Sequence, residues 1–232
     1  MSEIVKRLLG GELEVTGRLI DASNATLYAT LTFEGARSAC IYKPIQGERP
    51  LWDFPDGNLA SREYAAYLVS EALAISVVPP TVLRDGPFGP GMVQQWIEVD
   101  ESIDLALFYA TQDPQLRQMA LFDAVINNTD RKIGHLLPDS EGKLYGCDHG
   151  VTFHSEDKLR TVLWQWAGEE FTSNERTSLE ILASWVINTS ELTSLLTVME
   201  ISALSTRIRQ LLRANSFPLP NPDWPSIPWP AF

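Results

Sequence analysis

The stretch Asn127-Asn128-Thr129-Asp130-Arg131-Lys132-Ile133-Gly134-His135, followed after a short hairpin by Cys147-Asp148-His149-Gly150, decides how this chain is read. Ahead of it, Leu116, Met119, Ala120, Phe122, Asp123 and Ile126 recur at helical spacing from Pro114, and the pattern stops at the two asparagines. Thr129 to Gly134 is a polar loop. His135-Leu136-Leu137 and Leu144-Tyr145-Gly146-Cys147 are short strands around an Asp139–Lys143 turn. The hairpin thus holds Asp130 and Asp148 on neighbouring loops. Two such carboxylates suit a shared metal–phosphate site, because phosphoryl transfer needs a positioner for the nucleophile, oxygen ligands for metal and a cation on the phosphates.

Upstream, Lys43 closes a strand and Glu63 opens a helix. A half-buried lysine requires a carboxylate partner, and this pair would hold the ammonium toward phosphate oxygens. The strand candidates are Glu12 to Ile20, Ala25 to Phe33 and Ser38 to Tyr42, which stops at Lys43-Pro44. Three antiparallel strands are the economical arrangement, with Val77 to Leu83 and Met92 to Glu98 as a further pair around a glycine-rich loop from Arg84 to Gly91. A short helix covers Ser2 to Gly10, and another runs from an N-cap at Ser61 to Ala74 across the far side of a Gln46–Leu59 loop. Ser173 to Ala214 is mainly helical, and Phe217 to Phe232 is a proline-rich strap. The order is that of an α+β chain with a cleft between a β-rich and an α-rich half.

Composition bounds the function. The chain has 232 residues and a formal charge of −12, which argues against a nucleic-acid partner and against docking on an anionic membrane. Cys40 and Cys147 are the only cysteines, too few for a disulfide framework and without zinc spacing. No apolar run approaches the roughly 20 residues of a membrane span. The expectation is a cytoplasmic protein in a reducing compartment.

The ordered set Tyr42-Lys43-Pro44, Arg62-Glu63, Val78-Pro79-Pro80-Thr81, Asn128-Thr129-Asp130-Arg131 and Asp148-His149-Gly150 resembles the phosphatidylinositol 3-/4-kinase superfamily, in the style of type II phosphatidylinositol 4-kinases and HipA-type kinases. It is most similar to an actinobacterial group of short phosphatidylinositol 3-/4-kinase-like proteins, from about Gly10 to Glu170. The resemblance implies a two-lobed protein-kinase-like fold that binds ATP with Mg or Mn and transfers phosphate to a hydroxyl on a protein, sugar alcohol or lipid. Under it the lobes divide at residues 1–98 and 99–216, with the strap at 217–232. Lys43 contacts nucleotide phosphates, Glu63 is its helix partner, and Gln95, Trp96 and Ile97 on the linking strand face adenine. Asp130 is the catalytic aspartate and Asp148 the metal-binding one.

Two departures keep other readings open. His135 stands where the catalytic loop of such kinases carries a metal-binding asparagine, and imidazole suits Mn or Zn better than Mg. The loop from Asp21 to Thr26 has no glycines to cradle phosphate and would rely on Ser23 and Asn24. A nucleotide-binding pseudokinase or interaction module, and a nucleotidyl transferase, are the alternatives. Simpler roles also stand beside each residue. Lys43–Glu63 is readable as a surface pair, Asp130 and Asp148 as turn residues, His135, His149 and His154 as structural histidines, Arg131 and Lys132 as partners for carboxylates, and Trp164 and Trp166 as core.

Overall fold

The computed structural model describes residues 2–19 and 25–232, so Ser23 and Asn24, the expected phosphate-loop donors, lie outside the described residues. Helix α1 (Glu3–Gly10) is capped by Ser2 and buries Leu8 against the sheet. Strands β1 (Glu12–Arg18), β2 (Leu27–Phe33) and β3 (Ala36–Pro44) form an antiparallel meander. The β2–β3 turn is Glu34-Gly35, both at positive φ, as a two-residue hairpin loop requires.

Helix α2 (Leu59–Ala72) follows a long loop, and β4 (Thr81–Gly86) and β5 (Gly89–Gln95) complete the sheet. Among the described residues the order is β1-β2-β3-β5-β4, the meander of three joined by the further pair. Two expected boundaries move for physical reasons. Strand β4 starts at Thr81 and not at Val77, because Pro79 and Pro80 have no N–H for the ladder. The β4–β5 turn is also far shorter than Arg84 to Gly91, since pairing continues to Gly86 and Gly89. Glycine is needed there for space: a Cβ on Gly86 would lie 2.7 Å from the Tyr42 ring, and one on Gly91 2.5 Å from the Lys43 carbonyl.

The second half is helical. A short turn of helix, α3 (Leu105–Phe108), precedes α4 (Pro114–Ile126), which starts with Asp113 as N-cap and proline in its first turn. Asn127 ends it in the left-handed conformation at φ 52°. Strands β6 (Leu136–Pro138) and β7 (Leu144–Gly146) form the hairpin; His135 belongs to a 3-10 turn at Ile133–His135, not to the strand. Helices α5 (Ser173–Asn188) and α6 (Val198–Ala214) each begin with a reciprocal Thr/Glu capping box and pack on each other.

Two apolar cores follow. The smaller joins α1 to the sheet through Leu8, Leu31, Tyr42 and Val93. The larger threads Ala65, Ala66 and Val69 of α2 through Leu116, Met119 and Phe122 of α4 into α5 and α6, so α2 is seated against the helical half. The tail runs along the 131–133 and 158–164 segments: Ile133 N–H donates to Ala231, and Thr161 N–H and Trp164 Nε1–H both donate to Ser226 O. Trp166 is core, 3% exposed.

Candidate active site

Lys43 and Asp148, 105 positions apart, meet where the two halves face each other. The Lys43 ammonium donates to Glu63 Oε1 at 2.5 Å and to Asp148 Oδ1 at 2.8 Å. Each residue is placed by its element. Lys43 ends β3, Glu63 lies in the second turn of α2 with its side chain 2% exposed, and Asp148 follows β7. Helix α2 starts at Leu59 rather than after Ser61, because Asn58 caps Ser61 N–H and the Glu48 carboxylate takes the Leu59 and Ala60 amides, both at 2.8 Å.

The backbone at Asp148 is held from both sides. Cys147 O accepts from Arg131 Nη1 at 3.1 Å, and His149 N–H donates to Glu63 Oε2 at 3.0 Å. Between these anchors Asp148 adopts φ 61°, a conformation uncommon outside glycine but tolerated by aspartate, and its side chain remains half exposed. The Lys43 ammonium keeps the Asp148 carboxyl well below the ordinary carboxylate range. Burial works against the charge on Lys43, yet Asp148 and Glu63 outweigh it and its pKa rises. Burial pushes Glu63 upward, with Lys43 pulling against it.

A cavity of about 490 Å³ opens beside this pair, and Lys43, Glu63, Asp130 and Asp148 all line it. Asp130 is oriented by Asn128, whose Oδ1 accepts the Asp130 N–H at 3.0 Å, and pairs with Lys132 at 3.3 Å. Partial burial raises its carboxyl above the usual range, with Lys132 opposing. His135 faces Asp148, Nε2 to Oδ2 at 3.7 Å. Its Nδ1 accepts from Lys132 N–H, which leaves the proton on Nε2 and points a donor, not a lone pair, at the carboxylate.

Not every expected residue arrives. Gln95, Trp96 and Ile97 do not line this cavity. The Gln95 and Trp96 amides donate to Pro80 and Ala39, the Trp96 ring sits edge-on to Tyr28, and Ile97 is buried. The open space lies instead toward Leu51 and Phe54 in the loop before α2.

Beneath the site sits a buried polar cluster. Asp123 on α4 accepts from Arg131 at 2.9–3.1 Å, from Asn128 Nδ2 at 2.9 Å and from Thr161 Oγ1 at 3.0 Å. Arg131 Nη2 also donates to His149 Nε2 at 2.6 Å, so the imidazole proton is on Nδ1, which has no partner among the described residues. The pairing of Arg131 with a carboxylate is the simpler of its two sequence readings. Asp123 was visible only as a polar residue inside an apolar helix pattern, the sole signal that could have singled it out.

These histidines set a pH dependence. Burial lowers His135 to about 4 and His149 well below 6.5. Below 6.5 the unfolded imidazoles bind protons that the folded ones refuse, so stability falls as pH drops from 6.5 toward 4, by up to ~1.4 kcal/mol per pH unit for each histidine. Urea midpoints measured across this range in metal-free buffer check the slope, and His135→Gln flattens part of it. A midpoint constant from pH 6.5 to 4.5 would contradict the account.

No family model matches the sequence. Protein Rv2133c of Mycobacterium tuberculosis (strain ATCC 25618 / H37Rv) is 43% identical over 263 aligned positions, covering 97% of this chain and 94% of that protein. The chain belongs to the Rv2133c family. Among solved structures, the Golgi casein kinase superposes on this Rv2133c-family chain with a TM-score of 0.51 at 14% identity, over 91% of this chain and 73% of that one. A second, the Helicobacter pylori proinflammatory kinase CtkA, gives 0.48 at 11% identity over 90% and 94%. The fold is α+β and kinase-like, a sheet lobe against a helical lobe. Among the described residues, no helix is long and apolar enough to cross a membrane.

Proposed function

We propose that this protein transfers a phosphoryl group from ATP, with a divalent metal, to a hydroxyl acceptor. The observation that carries the reading is the bifurcated Lys43 contact to Glu63 and Asp148 on a cavity that Asp130 also lines. A lysine fixed by a buried carboxylate presents its charge to phosphate oxygens, and the half-exposed Asp148 carboxylate is available to a cation.

The donor set fits magnesium or manganese held partly by substrate. No group of three His, Cys, Asp or Glu is gathered among the described residues, so the protein alone would not cage a cation. Magnesium characteristically takes one or two carboxylates and completes its shell with phosphates and water. Asp148 would supply that carboxylate. His135, with its Nε2 proton turned toward Asp148, serves better to orient the carboxylate than to ligate; a tautomer change would be required for ligation. The metal nucleotide supplies the activated phosphoryl group. Asp130, braced by Asn128 and raised by burial, takes the acceptor's proton, and Lys132 beside it steadies the charge.

Phosphatidylinositol 3-/4-kinase-like ancestry is supported by the order of Lys43, Glu63, Asp130 and Asp148 along the chain. Asp130→Asn should bind ATP and metal as the wild type does but lose roughly 10²–10⁴-fold in ADP formation. Undiminished turnover would remove Asp130 from the chemistry, and release of pyrophosphate in place of ADP would make the protein a nucleotidyl transferase.

A further inference from the structure

We propose that the acceptor is a small hydroxyl compound already carrying an anionic oxygen group, phosphate or carboxylate, and that Arg160 binds that group. This rests on the phosphotransfer reading and names the substrate class of the same site.

Arg160 is stitched to both sides of Asp130. Its N–H donates to Asn128 O at 2.8 Å and its carbonyl accepts from Arg131 N–H at 3.1 Å. The side chain lines the cavity, and the tail holds it there: Nε donates to Pro225 O at 3.2 Å and the guanidinium lies 4.9 Å from the Trp224 ring centroid. Trp224 is itself anchored by its Nε1–H to Lys158 O at 3.1 Å.

Among the described residues the other charges on the cavity, Arg49 included, have partners. Glu63 and Asp148 share Lys43, Asp130 has Lys132, Asp53 has Lys158 at 3.9 Å, and Glu48 is satisfied by two helix amides. Arg160 differs. Its contacts are a carbonyl and a ring; it forms no ion pair among the described residues, and its charge acts on the Asp130 carboxyl beside it only from a distance, lowering it. A guanidinium stays charged at any physiological pH and presents a planar fork suited to a phosphate or carboxylate. Held beside the residue that receives the acceptor's hydroxyl, it selects a molecule with hydroxyl and anion a few bonds apart. The cavity of about 490 Å³ must also admit the nucleotide phosphates at Lys43, so the part beside Arg160 is left for a small molecule. The formal charge of −12 disfavours an anionic membrane as its source, whereas a single small anion inside the cleft is screened from distant carboxylates.

The test is calorimetric titration of the full chain, with and without a non-hydrolysable ATP analogue and Mg, using glycerol 3-phosphate, glycerate, glycerol and myo-inositol 1-phosphate. Phosphatidylcholine vesicles with and without phosphatidylinositol form a separate arm. The charged compounds should bind at least about tenfold tighter than glycerol. Arg160→Gln should erase the preference and Arg160→Lys should restore part of it. Equal binding of charged and neutral compounds, no binding, or a preference that survives Arg160→Gln would overturn the proposal. A response to phosphatidylinositol vesicles alone would overturn the soluble acceptor. Should Arg160→Gln fail to fold, protection of Arg160 from phenylglyoxal by glycerol 3-phosphate in the wild type gives the same answer, and absence of protection counts against it. ATP and metal bound without any anion preference would sink this inference and spare the phosphotransfer reading. Anion preference without ATP binding would sink that reading and, with it, the acceptor role of Arg160.

Discussion

Asp148→Ala is expected to abolish metal-dependent ATP binding, weakening it by about two orders of magnitude or more, while the protein stays folded. The two halves of that expectation have separate origins. Asp148 is the half-exposed carboxylate of the constellation, so its removal deletes the main oxygen ligand offered to a cation but leaves no buried void. Lys43 retains Glu63 at 2.5 Å and is not stranded. The Lys43–Asp148 contact, discounted for the exposure of Asp148, is worth about 1 kcal/mol or less to stability. Titration calorimetry with ATP in Mg, compared with EDTA, reads the binding, and a thermal melt reads the fold. Wild-type affinity in this variant would remove Asp148 from the site.

Asp123→Ala is expected to have the opposite profile, a large loss of stability from a residue that does not line the cavity at Lys43. Asp123 and Arg131 are both fully buried, and the carboxylate also serves Asn128 and Thr161. Alanine leaves the guanidinium uncompensated, a change that costs about 3–5 kcal/mol for buried pairs. That is roughly a fifth or more of the stability of a typical domain. Because Arg131 also holds Cys147 O and His149, the damage should spread to the backbone at Asp148. The double variant Asp123→Ala/Arg131→Met should recover part of the loss, since it removes the stranded charge. Chemical denaturation of the three proteins measures this. A loss under about 1 kcal/mol in the single variant would mean that Arg131 finds water or another partner, against a fully buried, mutually satisfied pair.

Lys43, Asp130 and Asp148 stand out in the sequence because they sit at element ends, where pattern changes are sharpest. Lys43 lies where a strand meets proline, and Asp130 and Asp148 lie on either side of a hairpin with a clear polar turn. What the one-dimensional pattern did not carry was the work done between distant segments. Glu48 displaces the start of α2 from Ser61 to Leu59 by binding amides more than ten positions away. Arg160 gains its place from Trp224 and Pro225, over sixty positions along the chain. The linking strand is a related case. The Gln95 and Trp96 amides look free in sequence, yet the strands of this sheet and the Pro80 carbonyl consume them. Gly86 and Gly91 suggested a wide loop, whereas they make room for the Tyr42 ring and the Lys43 carbonyl against a tight hairpin.

We propose that the Lys43–Glu63–Asp148 constellation binds a metal nucleotide. A thermal-shift titration of the purified protein with ATP, run without metal, with Mg and with Mn, tests it most directly. The melting temperature should rise with ATP concentration only when metal is present, because a ligand that binds the folded state alone stabilises it by RT ln(1 + L/Kd), L being the free ligand concentration. An unchanged melting temperature under all three conditions would contradict it.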